Sequence, residues 1–367
     1  MSRTATRSAA SERTGRAAAR GQRLLWLDVA RSLALLSMFV AHAAPTMGPF
    51  GVLMLTEYVT APLFAALVGA SALLESRRVG WGRALAAAAV RAAFLVGAAW
   101  VNSLFGAQVL DVLQHLAVIT VVAALLAAAP TVLLAVIALV LAVCSVLLST
   151  AGAAPVMSWL SPRAAELGLD PVTVSRQLNH WVLGDYRLLA LLAVGLLGMI
   201  LARLLAPGGA GAPRGLAAGI AAIGLVASGG TILLTRMQTG SFPVAYAGDL
   251  PEFVTSTALV VLVFGLCAAV VPGRRSVLTD VLTVPGSMTL TLYMAHQAYL
   301  GWVVNLAGPG PWRHPSGTDD SWFNLAVLCV GAIVFALAWR TLVKADPWRR
   351  GPVEGLMRLV TRPIHGR

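Results

Sequence analysis

Charge is what this sequence has least of. Only 11% of its 367 residues are Asp, Glu, Lys or Arg, where a soluble chain carries roughly 25%. So few charges cannot clothe a water-soluble surface, and a soluble enzyme or binding module is excluded on that count. Acids are scarcer than bases, 15 against 27, which leaves a formal charge of +12. On a soluble protein that excess would suggest nucleic acid. Here most of the arginines sit in the tails and a few short loops, so no nucleic-acid partner is expected. Lysine occurs once, as Lys344. The three cysteines, Cys144, Cys267 and Cys329, lie inside apolar stretches without metal-ligand spacing. They read as small core residues, and no metal is expected.

What the sequence has in abundance is hydrophobic residues, 58% of the chain. Apolar stretches near 20 residues recur along its whole length, the signal of membrane-spanning helices. The fold class expected is an all-α polytopic membrane protein with about ten spans, near 24–46, 51–74, 81–103, 108–129, 131–150, 186–206, 214–236, 253–271, 285–306 and 321–343. Three regions follow: a disordered basic tail at 1–23, a helical bundle at 24–343, and a C-terminal segment at 344–367 with a short amphipathic helix. Residues 1–23 resemble a long signal-peptide n-region. The stretch behind them carries Asp28 and Arg31 and lacks a convincing cleavage site, so the tail is expected to stay. With the N-terminus inside, 19 of the 27 basic residues fall in cytoplasmic segments and five in external ones. That asymmetry puts both termini in the cytoplasm. The longest external connection, 151–185, leads into the run "RQLNHWVLGDYR", and 305–320 is rich in Gly and Pro and expected to be irregular.

Topology assigns each polar residue a depth, at about 1.5 Å of rise per helical residue. Asp28 and Arg31 open span 1 at the cytoplasmic edge, and His42 closes it at the outer one. Glu57 in span 2, Asp111, Gln114 and His115 in span 4, and Tyr293 and His296 in span 9 all fall in the outer half. Four spans thus place ionisable groups in one layer, the expectation for a buried polar site. Structural alternatives stand beside it. Asp28 and Arg31 are three residues apart and can pair, His42 can close its helix before Pro45, and Glu57 and Asp111 can reach the headgroups. Arg91 is expected to pair with a buried carboxylate or line a polar cavity.

The stretch "RLLWLDVARSLALLSMFVAH" at 23–42 resembles the opening motif of the transmembrane acyltransferase superfamily that includes lysosomal heparan-α-glucosaminide N-acetyltransferase. The resemblance continues at "TEYVTAPLFAALVGASALLES" (56–76), "VLQHLAVITVVAALL" (112–126) and "SMTLTLYMAHQAYL" (287–300). The closing "RRGPVEGLMRLVTR" is similar to the C-terminal signature of the bacterial inner-membrane branch. The resemblance implies transfer of an acyl group, acetyl in the first instance, from acyl-CoA as co-substrate to an acceptor beyond the bacterial cytoplasmic membrane. It maps Asp28 and Arg31 onto the first-span Asp and Arg, His42 onto a position held by Asn or His, and His296 onto the late-span His. Ser32 replaces the usual glycine, Gln297 replaces an acid, and residues 43–56 lack the histidine that the lysosomal enzyme uses after its first span.

The catalytic set implied is His42 as general base or transient nucleophile, with His296, Tyr293, Glu57 and His115 around it. Asp28, Arg31, Arg77 and Arg78 form the donor-binding set, the arginines taking the CoA phosphates. The acceptor is a hydroxyl or amine on a glycan, envelope component or small molecule. Membrane lipid surrounds the bundle, and homo-oligomerisation stays open. The rival reading is a transporter or flippase that binds a solute in the same layer.

Overall fold

The computed structural model describes residues 24–207, 211–272, 276–314 and 316–365. The basic tail 1–23, and Arg274 and Arg275 before the ninth span, lie outside the described residues. Among those described all regular structure is helical, without strands. In order come α1 (Leu25–Ala43), α2 (Leu55–Val79), α3 (Trp81–Ser103), α4 (Leu113–Leu125) and α5 (Thr131–Ala151). Two shorter helices follow, α6 (Ala153–Glu166) and α7 (Pro171–Leu178), and then α8 (Leu188–Leu205), α9 (Arg214–Thr239) and α10 (Leu250–Val270). The chain closes with α11 (Val277–Thr283), α12 (Thr289–Asn305), α13 (Trp322–Leu342) and α14 (Pro352–Thr361).

Among the described residues, eight helical stretches are long and apolar enough to cross a membrane. The fourth and ninth expected spans are shorter helices, α4 with its 3₁₀ extension to Ala128 and the 17-residue α12. Each starts later than hydropathy suggested. Residues 106–112 run irregularly, with Gly106 at φ 64°, and Asp111 Oδ1 accepts from the Leu113 N–H at 2.6 Å to start α4. Pro285–Ser287 form a 3₁₀ turn ahead of α12. The connection 151–185 is largely helical, as α6 and α7; of the segment 305–320, expected to be irregular, Asn305 ends α12 and the described residues of 306–320 lack helix.

The core lies where α1, α2, α4, α8, α10 and α12 meet. The crossing of α2 and α8 is set by glycine. A Cβ on Gly69 would fall on the Gly195 carbonyl, and one on Gly198 on the Ala66 carbonyl, so the two backbones touch. Close contact of this kind drives helix association where lipid removes the hydrophobic difference. On the outside, α5 exposes Val132, Leu139 and Leu147, and α13 exposes Val330 and Val334, a surface suited to acyl chains and not to water.

The bundle has two unlike ends. One, the basic end, carries Arg31, Arg77, Arg78, Arg203, Arg340 and α14; the other, the cavity end, carries His42, Glu57, Asp185, Tyr246 and Asp319. At the basic end Glu354 of α14 reaches the start of α12. Its Oε1 accepts from the Leu290 and Thr291 N–H groups at 2.7 and 3.1 Å, and Oε2 accepts from Thr291 Oγ1 at 2.5 Å. These are amide donors that no carbonyl of α12 can satisfy. Glu354→Ala therefore leaves buried donors unpaired, and thermal unfolding in detergent should show a loss of about 1–3 kcal/mol. Glu354→Gln keeps an acceptor and should lose less.

Candidate functional site

The connections at the cavity end line an open cavity of about 380 Å³. His42 reaches it from the last turn of α1 and Glu57 from the first turn of α2. Gln108 comes from the irregular segment before α4, Asp185 and Tyr186 from the approach to α8, Tyr246 from the α9–α10 connection, and Asp319 and Asp320 from the segment before α13. Two of the five residues expected to be catalytic, His42 and Glu57, thus share one wall. Behind this wall a narrower cavity of about 30 Å³ is shared by Glu57, Tyr186 and Tyr246 and reaches Arg187 and Glu252.

His42 does not stand alone. Its Nδ1 lies 3.3 Å from Nε2 of His296, and the rings stack with centroids 5.5 Å apart and planes 22° apart. Nδ1 of His296 is in hydrogen-bond contact with the Tyr293 carbonyl, which can only accept. In the neutral pair the protons are thereby assigned: His296 carries its own on Nδ1, so its Nε2 accepts, and His42 must donate from Nδ1. The remaining ring nitrogen of His42, Nε2, is left with a free lone pair on a residue of the cavity wall. His296, at 1% exposure, backs His42 and is not itself part of that wall. Tyr293 packs edge-on against His296 with centroids 5.0 Å apart. Its hydroxyl accepts from the Val112 N–H at 3.3 Å and donates to Asp111 at 3.4 Å. Asn102 Nδ2 donates to the same carboxylate at 2.7 Å.

Tyr246 holds the other side. Its hydroxyl donates to Glu57 at 2.9 Å, its carbonyl accepts from Arg187 at 2.7 Å, and its φ is 61°, in the left-handed region. A tyrosine there costs about 1–3 kcal/mol and persists only where the surroundings fix it. Bonds at both of its ends do so. Burial pushes its phenol far above the ordinary value, with the charge of Tyr186 and then of Glu57 acting in the same direction, so Tyr246 remains a donor. Asp319 lacks such support. Burial, aided by the charge of Asp320, outweighs a hydrogen bond from its own backbone and pushes its carboxyl up to about 6.

His115 stands behind the wall, its ring edge-on to Tyr186 with centroids 6.0 Å apart. Its Nε2 lies 3.2 Å from the His180 carbonyl, and its ring packs against His180 and Trp181 at 5.1 and 4.7 Å. The π-helical turn after α7 thus covers it, and it is not on the cavity wall. Asp185, Tyr186, Tyr246, Asp319 and Asp320 were not candidates on sequence. The polar, aromatic run at 176–187 was a usable signal for the first two, and the paired acids of "GTDD" for the last two.

The model of the heparan-alpha-glucosaminide N-acetyltransferase catalytic family matches residues 23–234, more than half of the chain. The chain belongs to this family. No curated protein and no solved structure matches it. It is a multi-pass membrane protein with an acetyltransferase-like catalytic segment. The acetyltransferase match holds His42, Glu57, Asp111, His115 and Asp185, whereas Tyr246, Tyr293, His296, Asp319 and Asp320 come from the chain beyond it.

The acetyltransferase-family motif at the start of α1 lies at the basic end. Arg31 donates to Asp28 at 2.8 Å and to Ser71 at 2.7 Å. Ser32, in place of the usual glycine, accepts from the Gly286 N–H at 2.7 Å, and a Cβ on Gly286 would fall on the Asp28 carbonyl. The serine therefore docks the turn before α12 onto α1. Arg77 and Arg78 are exposed at the same end, Arg77 donating at 3.4 Å to the Ala206 carbonyl, while Arg91 is engaged by both oxygens of Glu75. Among the described residues no group of three or more His, Cys, Asp or Glu is placed to hold a metal ion.

Proposed function

We propose that this protein transfers an acyl group, acetyl in the first instance, from acyl-CoA at the cytoplasmic face of a bacterial membrane to an amine or hydroxyl acceptor held in the cavity at the opposite face. The reading takes both termini as cytoplasmic, which puts the basic end inside and the cavity outside. It is carried by the His42–His296 pair, which offers a free imidazole lone pair to a cavity large enough for a small acceptor.

The residues then divide the work. Nε2 of His42 takes the proton from the acceptor N–H or O–H as that atom bonds to the thioester carbonyl carbon. The carbonyl electrons move to oxygen, and Tyr186 and Gln108 on the cavity wall are the groups able to donate to that oxyanion. When the oxyanion collapses the C–S bond breaks, and the CoA thiolate leaves with the proton held by His42. Through its Nε2, His296 keeps His42 in the tautomer that leaves Nε2 basic, so it is a positioning residue. Glu57, steadied by Tyr246, orients the acceptor. Arg31, Arg77 and Arg78 offer donors for the CoA phosphates at the basic end.

Purified protein given labelled acetyl-CoA and a panel of amines and amino sugars should release CoA thiol and acetylate at least one of them. His296→Phe removes the acceptor for the His42 Nδ1–H and should lower kcat by up to about 10⁴-fold with KM little changed. His296→Gln, which can still accept there, should retain most of kcat. Equal kcat for wild type, the Phe variant and the Gln variant would contradict the positioning role.

A further inference from the structure

We propose that the cavity selects an acceptor with a fixed positive charge, an amino-alcohol or diamine, whose cationic group is held by Asp319 and Asp320 while a second group is acylated. This rests on the acyl-transfer reading above and names its acceptor class. Four carboxylates, Glu57, Asp185, Asp319 and Asp320, line the cavity, and among the lining residues His42 alone can carry a positive charge. Glu57 already accepts from Tyr246. Asp319 is the unsatisfied member: it is 5% exposed, and its Oδ2 has no hydrogen-bond partner among the described residues. A buried carboxylate oxygen without a donor is costly, and a cation supplied by the ligand is the most direct remedy.

The acid is also held in place for that task. Asn324 Nδ2 donates to the Asp319 carbonyl at 2.6 Å, and Asn324 Oδ1 in turn accepts from Tyr299 at 2.8 Å. The Ser321 N–H donates to the Ala43 carbonyl at 3.0 Å, which ties the segment to the residue following His42. Thr318 Oγ1 donates to Asp320 at 2.9 Å and orients the second carboxylate. Asp319 is thus a fixed acidic group beside the proposed base, not part of a mobile loop tip.

The cation held there cannot be the nucleophile, because an ammonium paired with carboxylates has no lone pair to offer. The acceptor must therefore present two groups, one neutral beside His42 and one charged beside Asp319. The same field disfavours sulfated and phosphorylated glycans, which would bring more negative charge to four carboxylates.

The test is a binding measurement without acetyl-CoA, so its failure is distinct from a failure of acyl transfer. Full-length protein in neutral maltoside detergent is titrated calorimetrically with 2-deoxystreptamine, a cyclic diamine polyol, and separately with N-acetylglucosamine and glucosamine 6-sulfate. The diamine should bind more tightly than either of the others. Asp319→Asn and Asp320→Asn should each weaken it, and together by about tenfold or more. Asp170→Asn, at the exposed carboxylate that caps the start of α7 away from the cavity, should leave it unchanged. Each Asn side chain keeps an acceptor oxygen, and an unchanged melting temperature shows that the variants fold. Equal binding of the neutral sugar, tighter binding of the sulfated one, or diamine affinity indifferent to both aspartates would overturn the proposal.

Discussion

His42→Ala is expected to lower acetyl transfer by about 10²–10⁴-fold, the usual contribution of a positioned general base. The effect should fall on kcat, because in the proposed mechanism the side chain takes the reacting proton and has no part in holding the donor phosphates. The fold should tolerate the change. His42 is half-buried in the last turn of α1, and the partner it leaves, Nε2 of His296, loses one hydrogen bond. The truncated side chain opens space on a cavity wall, so added imidazole should restore part of the rate by occupying the vacated position. Rescue by imidazole, with an unchanged melting temperature, separates lost base from lost structure. Full activity in the alanine variant would place the base elsewhere.

Arg187→Ala is expected to cost about 3–5 kcal/mol of stability, because it leaves Glu252 charged and buried without its partner. The side chains are 5% and 10% exposed, and Nη2 lies 2.6 Å from Glu252 Oε2. Ser256 adds a hydrogen bond to the other carboxylate oxygen at 3.0 Å, which does not replace a cation. Arg187→Met combined with Glu252→Met removes both charges and should recover most of the melting temperature in detergent. Activity should not return with it. Arg187 also holds the Tyr246 carbonyl at 2.7 Å, and without that tether the left-handed tyrosine is free to relax and release Glu57. A double variant that is both stable and fully active would show that the Tyr246 tether is dispensable.

The fold was largely legible because hydropathy at this scale reports directly on membrane-length helices. Its errors came where local chemistry overrides apolar content, as at Asp111, which starts α4 late by accepting from Leu113, and at Pro285–Ser287. Depth also placed His42, Glu57, Tyr293 and His296 in one layer, since helical rise converts residue number to height. Height says nothing of position around the bundle. His115 packs among His180, Trp181 and Tyr186, one side chain behind the cavity wall. The rest of the wall, Asp185, Tyr186, Tyr246, Asp319 and Asp320, lies in connections whose paths are set by single hydrogen bonds such as Ser321 to Ala43. Apolar periodicity carries no record of those. The exchange of glycine for Ser32 marked a departure from the family pattern on sequence, and its bond to Gly286 is visible only in three dimensions.

Transfer across the membrane is tested most directly in sealed proteoliposomes holding protein of one orientation. Labelled acetyl-CoA is supplied only on the side of the basic end, and an amine acceptor only on the side of the cavity. The account predicts acetylated acceptor on the cavity side, with free CoA accumulating on the other, and neither with His42→Ala. Acceptor crossing the bilayer unacetylated, or product that forms only when both substrates share one side, would contradict it.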